Sequence, residues 1–192
     1  MPILRLISDL LGVVILLGVI YFLGRPIVHG AIYYPTSSRG VERMMRLAAV
    51  RPGERVIDFG SGDGRLLIAA ARAGATAVGY EINPVLVRRS RRAIEAAGVA
   101  DRATVRWESM WRADLSQYDV IFVYAFPYVM SDLRKKCFRE MRPEARLISN
   151  AFRIPDWEPA VEEEKALRYQ LPAEVRAVSG GKPGRNAAGA TG

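Results

Sequence analysis

Residues 55–65 read Arg55-Val56-Ile57-Asp58-Phe59-Gly60-Ser61-Gly62-Asp63-Gly64-Arg65, and this stretch decides the fold. Its first five residues are a short apolar run of the kind that forms a strand buried on both faces. Glycines at alternate positions then make a tight bend, where a backbone without Cβ atoms can approach a ligand closely. Arg65 to Ala73, rich in leucine and alanine, continues as helix, and the N-terminus of that helix favours negative charge. A strand, a glycine bend and a helix in this order open a parallel α/β sheet.

The spacing narrows the ligand. Dinucleotide folds use Gly-x-Gly-x-x-Gly to admit a pyrophosphate, whereas here the order is Gly60-x-Gly62-x-Gly64, which suits a ligand without phosphates. Asp58, just before the bend, would repel pyrophosphate and attract a cationic amino-acid group. Glu81 lies about twenty residues further on, where an acid at the end of the second strand can accept from both ribose hydroxyls. A surface glutamate before a helix is the plainer reading of Glu81. The joint occurrence of Asp58, the glycines and Glu81 favours a site.

Outward from this unit, strands and helices alternate. Ala77 to Tyr80 reads as a second strand, and Asn83-Pro84 starts a helix through Ala97, with Pro84 where its missing N–H does no harm. Thr104 to Trp107 is a third strand and Tyr118 to Tyr124 a fourth. A helix from about Ser131 to Met141, the turn Arg142-Pro143-Glu144 and a fifth strand, Ala145 to Asn150, follow. The alternation predicts an α/β Rossmann-like doubly wound fold, a parallel sheet covered on both faces. Upstream, Pro35 ends any earlier helix and Thr36 to Ser38 supply a cap for the next. Ala166 to Leu171 and Glu174 to Val178 are expected to form a closing hairpin. Residues 180–192, rich in glycine and alanine, are expected to be a disordered tail.

Leu10 to Gly24 carries no charge, and extending it back through Leu6 brings it to about the minimum spanning length of roughly 17 residues. A transmembrane helix is favoured over a cleaved signal peptide, because Gly30-Ala31 is a poor cleavage site and Asp9 interrupts the n-region. Arg25, Arg39 and Arg43 outnumber Arg5, which predicts a single-pass membrane protein with its main domain on the cytoplasmic side. The expected organisation is an anchor and juxtamembrane segment at 1–30, a domain at 31–179 and the tail at 180–192.

Composition removes other classes. Cys137 is the single cysteine and His29 the single histidine, so neither a disulfide scaffold nor a metal site is expected. Cys137 is expected in the core and His29 at a surface or interface. Net charge is +8, but the arginines are scattered. The cluster Arg88, Arg89, Arg91 and Arg92 sits on a helix expected to face solvent, and no nucleic-acid-binding motif accompanies it.

These residues resemble the seven-β-strand class of S-adenosylmethionine-dependent methyltransferases. More narrowly, the chain is similar to the membrane-anchored lysine methyltransferases that modify the ATP synthase c-ring protein and the adenine nucleotide translocase, and to small archaeal protein-lysine relatives. The matching stretches are Tyr34-Pro35-Thr36, Val56 to Arg65, Gly79 to Pro84, Met110 to Ser116 and Ile148 to Trp157. The glycine bend and the strand-end acid are common to the whole class. Pro35-Thr36, Trp111-x-x-Asp114-Leu115-Ser116 and Pro155-x-Trp157 point to the subgroup.

The resemblance implies S-adenosylmethionine as cofactor and a lysine of a membrane-associated protein as acceptor. It implies that Pro35 and Thr36 approach the methionine carboxylate, that Gly60, Ser61 and Gly62 form the floor of the site, and that Glu81 holds the ribose. Glu108, Ser109 and Met110, after the third strand, would flank the adenine. Relatives tend to carry an acid directly before the Met110-Trp111 pair; this chain has Ser109 there and Glu108 one place earlier.

Tyr124, Phe126 and Tyr128 follow the fourth strand, at the carboxyl end of the sheet where ligands bind, and are candidates to line an acceptor channel; ordinary packing is the alternative. Arg153, Ser149 and Asn150 could help shape that pocket, while Trp157 is expected to be a packed cap on the sheet edge. Two other functions remain open: methylation of a lipid-like or quinone molecule, and a non-catalytic module that binds cofactor or partner.

Overall fold

In the computed structural model, which describes residues 2–28 and 35–175, seven strands form one mixed sheet in the order β3-β2-β1-β4-β5-β7-β6. The strands are β1 (Arg55–Phe59), β2 (Thr76–Glu81), β3 (Ala103–Trp107), β4 (Val120–Val123), β5 (Arg146–Asn150), β6 (Val161–Glu163) and β7 (Ala166–Gln170). The first five run parallel, and β7 pairs antiparallel with both β5 and β6. From β1 the chain winds outward to β2 and β3, then returns to lay β4 on the other side of β1. The strand order therefore reverses between β1 and β4, and a crevice opens there at the carboxyl ends.

Successive side chains of a strand point to opposite faces, and the core divides accordingly. On one face α2 (Ser38–Ala48), α3 (Arg65–Arg72) and α4 (Pro84–Ala96) bring Met44, Leu67, Ala70 and Ile94 onto Val56, Phe122 and Ile148. On the other, α5 (Pro127–Glu140) brings Leu133 and Cys137 onto Ile57, Ile121 and Leu147. Each fully buried leucine of this kind contributes roughly 1.5–3 kcal/mol relative to exposure. The doubly wound sheet and the buried position of Cys137 agree with the sequence reading.

The cap before α2 is Ser37, whose hydroxyl accepts from the backbone N–H of Gly40 at 3.1 Å. At the other end of α2, Arg146 donates to the carbonyl of Ala48, to that of Ala49 at 2.9 Å, and to both carboxylate oxygens of Glu54 at 3.0 and 2.7 Å. One guanidinium thus caps the helix and fixes it to β5, satisfying carbonyls that a helix end leaves open.

Two expectations need correction. The closing hairpin lies one strand earlier than expected: Val161–Glu163 pairs with Ala166–Gln170, residues 173–175 are helical, and residues 176–178 fall outside those described. Val161-Glu162-Glu163 shows little apolar signal because it is an edge strand, and charge on an edge discourages further pairing. The fourth helix of the domain begins at Pro127, not near Ser131, with Phe126 at the N-cap. Proline is well placed in the first turn of a helix, whereas Ser131 lies inside it. His29 and the tail at 180–192 also lie outside the described residues.

The N-terminal residues form a separate unit, Met1–Pro35. Its helix α1 runs Pro2–Val28, about 40 Å at 1.5 Å per residue. The stretch Ile3–Tyr21 is long and apolar enough to cross a membrane, and all of its side chains are exposed.

Candidate active site

The bend between β1 and α3 lies in the crevice at the switch point. Gly60 and Gly64 adopt φ of +73° and +83°, a left-handed region that costs other residues about 1 kcal/mol or more. The backbone N–H of Gly60 donates to the carbonyl of Tyr80 at 2.9 Å, and that of Gly64 to the carbonyl of Ser61 at 2.9 Å. A side chain on Gly79 of β2 would come within 2.6 Å of Ser61 Cβ and 2.7 Å of Leu67 Cδ1. The bend is therefore pressed against β2 with no space between. The hydroxyl of Ser61 is buried and has no hydrogen-bond partner among the described residues.

Three carboxyl groups converge here. Asp63 is held by Arg65 through two bonds, at 2.8 and 2.6 Å, with Arg89 a further contact at 3.8 Å. Arg65 also donates to the carbonyl of Thr36, so it ties the segment before α2 to the bend. Glu81, 3% exposed, accepts from the backbone N–H of Gly62 at 3.0 Å and from that of Asn83 at 2.8 Å. Asp58 is 4% exposed and has no cationic partner among the described residues. Burial, with Glu81 and Asp63 adding like charge, pushes its pKa up to about 8. Burial also raises that of Glu81. Two desolvated carboxyls without a cation favour a ligand that brings positive charge. Each oxygen of Glu81 keeps a lone-pair direction free for a hydroxyl donor.

Past β3, the backbone N–H of Glu108 donates to the carbonyl of Glu81 at 3.1 Å, which sets this segment beside the acid. Glu108 pairs with Arg112 at 3.1 Å, and Ser109 caps the short turn Met110–Arg112. Met110 is half-buried against the core. The motif Trp111-x-x-Asp114-Leu115-Ser116 proves to be a structural clamp. Asp114 caps Leu115–Gln117 by accepting from the backbone N–H of Ser116 at 3.0 Å. Lys136 of α5 reaches Glu140 at 2.6 Å and the carbonyl of Trp111 at 3.3 Å.

Beyond β4 and β5 the side chains of Tyr124, Phe126 and Tyr128 come together, joined by Phe152. Phe152 stacks near Tyr124 at 6.1 Å between centroids and lies 6.3 Å from Phe126, which stacks on Tyr128 at 6.0 Å. Phe152 escaped the sequence reading because a lone aromatic after a strand carries no periodic signal. Asp63, Arg65 and Gly79 lie in stretches quoted above, but their roles do not show there, since their partners Arg89, Thr36 and Ser61 are set by the fold. Trp157 is a packed cap, as expected: it meets Phe138 edge-on at 4.9 Å, and its indole N–H donates to the carbonyl of Gln170 at 3.0 Å. Ser149 bonds the carbonyl of Phe152 at 2.7 Å, which shapes the turn that presents that ring. Arg153 is drawn to Glu162 on β6. Thr36 is buried, while Pro35 is exposed and falls in the N-terminal unit.

Comparison with known proteins gives a consistent family. Residues 58–161 match the model of the ANTKMT methyltransferase domain. The chain is 36% identical over 146 residues to the Homo sapiens lysine N-methyltransferase of the ATP synthase c-ring protein, covering 73% of this chain and 62% of that enzyme. It is 35% identical over 129 residues to a protein-lysine N-methyltransferase of Saccharolobus islandicus, covering 66% of this chain and 80% of that one. Among solved structures, an RNA methyltransferase from Salinibacter ruber in complex with S-adenosyl-L-homocysteine aligns with a TM-score of 0.69 and 37% identity, covering 73% of this chain and 95% of the other. The chain spans about three fifths of the length of the animal lysine methyltransferases it matches.

Proposed function

This chain belongs to the ANTKMT methyltransferase family, and we propose that it is an S-adenosylmethionine-dependent protein-lysine N-methyltransferase acting on a membrane-associated protein. The observation that carries the reading is the pair of buried carboxyls, Asp58 and Glu81, at a tight glycine bend with no cationic partner among the described residues. The donor set fits the cofactor. Glu81 has acceptor capacity for the ribose hydroxyls, and Asp58, buried within reach of the charges on Glu81 and Asp63, is a potential partner for the ammonium and sulfonium side. The unpartnered Ser61 hydroxyl and the floor of Gly60 and Gly62 complete the cradle, and Thr36 lies beside Arg65. Glu108, Ser109 and Met110 flank the adenine side.

When bound, S-adenosylmethionine supplies an electrophilic methyl group on a sulfonium. The remaining work falls to the chain: to hold the acceptor amine in line, exclude water and permit loss of its proton. A lysine has a solution pKa near 10.4, so its amine must be desolvated to react at neutral pH. The rings of Tyr124, Phe126, Tyr128 and Phe152 form the apolar wall that does this, and their faces attract the ammonium form on its way in. No general base is required if the proton passes to solvent as the entering ammonium is stripped of water.

The helix α1 anchors the enzyme in a single pass, with the domain on the cytoplasmic side as the arginine distribution indicates. An anchor confines the site to the bilayer surface and raises the local concentration of a membrane-bound acceptor. A second reading, transfer to RNA, is favoured by the Salinibacter relative, which is described as an RNA methyltransferase. Incubating the full chain with methyl-labelled S-adenosylmethionine and native membranes separates the readings. Label in a protein band, abolished by prior blocking of lysines, supports the proposal; label in the RNA fraction or the lipid extract overturns it.

A further inference from the structure

We propose that Trp107 and the arginine-bearing stripe of α4 form a docking face for an anionic lipid surface, which turns the mouth of the site towards the membrane. Trp107, the last residue of β3, is 64% exposed, and Val85, in the first turn of α4, is 68% exposed. The indole N–H of Trp107 donates to the carbonyl of Ile82 at 3.0 Å, so the ring is fixed beside the turn that leads to Val85. Helical spacing places Arg88 and Arg92 on the same stripe as Val85. Arg91 reaches across to the carbonyl of Val105, two residues before Trp107, at 3.5 Å. All three arginines are exposed. An open sheet edge thus carries a fixed, exposed indole, with Arg91 reaching its strand and Arg88 and Arg92 on the adjoining helical stripe. None of the three lies within ion-pair distance of a carboxylate among the described residues, and Glu95 is the one acid on the next turn of α4.

Soluble surfaces seldom leave a tryptophan so bare. Its amphipathic ring suits the level of lipid headgroups, and clustered arginines are drawn to anionic lipid within a Debye length. The proposal rests on reading α1 as a membrane helix. Only residues 29–35 separate that helix from Thr36, so covalent geometry limits the separation of its end from the domain to about 30 Å. Any face of the domain with affinity for lipid will therefore meet it at high effective concentration. Trp107 sits at the carboxyl edge of the sheet, in register with Glu81, so docking there brings the crevice to the surface where a membrane-embedded acceptor emerges.

The test uses the full chain reconstituted into phosphatidylcholine vesicles with or without phosphatidylglycerol, each carrying lipid brominated high in the acyl chain. Flotation reports α1; tryptophan emission reports the domain, since all three tryptophans (Trp107, Trp111 and Trp157) lie within it. The expected result is flotation with both vesicles and loss of about one third of the emission in anionic vesicles only, a headgroup-level contact sensitive to salt. Trp107→Phe should abolish the quenching, and Arg88→Glu with Arg92→Glu should reduce it at least twofold while the protein still floats. Flotation with equal quenching of wild type and Trp107→Phe overturns docking and leaves the anchor standing. Failure to float overturns the anchor and docking together. Quenching of Trp107 by an RNA oligonucleotide but not by anionic vesicles overturns the proposal and gives the face to nucleic acid.

Discussion

The carboxylate of Glu81 accepts the backbone N–H of Gly62 at 3.0 Å, 19 residues earlier in the chain, while its other oxygen takes that of Asn83 at 2.8 Å. Each oxygen is therefore already held by one backbone donor, with its second lone-pair direction open to a ligand. Glu81→Gln offers one oxygen and one amide, and the amide cannot accept, so one buried N–H loses its partner at a cost of about 1–3 kcal/mol. We expect a lower Tm and at least tenfold weaker binding of S-adenosylmethionine by calorimetry. Unchanged affinity would remove Glu81 from the site.

Gly79→Ala places a methyl group within 2.6 Å of Ser61 Cβ and 2.7 Å of Leu67 Cδ1. Overpacking of this kind costs about 1–3 kcal/mol, and here it displaces the glycine bend as well. Adding Ser61→Gly removes one of the two obstructions, so the double variant should recover part of the lost stability. A double-mutant cycle by urea denaturation measures the coupling, and strict additivity would contradict the close packing of β2 on the bend.

Asp58 supplies a pH dependence whose sign is fixed. Its folded pKa of about 8 lies above the ordinary 3.8, so the folded protein retains a proton that the unfolded chain has lost. Its contribution to stability is full below about pH 4 and declines as pH rises towards 8. Glu81, shifted in the same direction, adds to the trend. Asp58→Asn should flatten the fall in Tm between these pH values. Binding of a cationic ligand favours the carboxylate, so at pH 7 it should release a proton, seen by calorimetry in buffers of different ionisation heat. Proton uptake would place Asp58 away from the ligand's charge.

Phe152 bridges Tyr124 and Phe126, and ring pairs of this geometry contribute about 0.5–1.5 kcal/mol each beyond burial. If the cluster is the acceptor wall proposed above, Phe152→Ala lowers turnover about tenfold or more and leaves the dissociation constant of S-adenosylmethionine within about twofold. Phe126→Ala should behave alike. Single-turnover assays alongside cofactor titration separate the two effects, and unaltered turnover in both variants would return the cluster to ordinary packing.

The local steps of the chain were legible in sequence because local chemistry fixes them. Val56, Ile57 and Phe59 beside a glycine bend read as a buried strand, Gly60-x-Gly62-x-Gly64 favours a bend, and Pro84 behind Asn83 favours a helix start. From these the doubly wound sheet and the placing of both Asp58 and Glu81 beside the bend followed. The edge strand Val161–Glu163 was not legible, since two glutamates beside one valine carry no period and the strand exists only because β7 offers it a partner. Nor were Phe152, Arg65 and Arg146, each of which acts on a residue distant in the chain. Hydrophobic pattern and turn chemistry act over a few residues and so are written in order along the sequence. Which side chains share a desolvated crevice depends on how the strands are ordered in the sheet, and only the folded structure decides that.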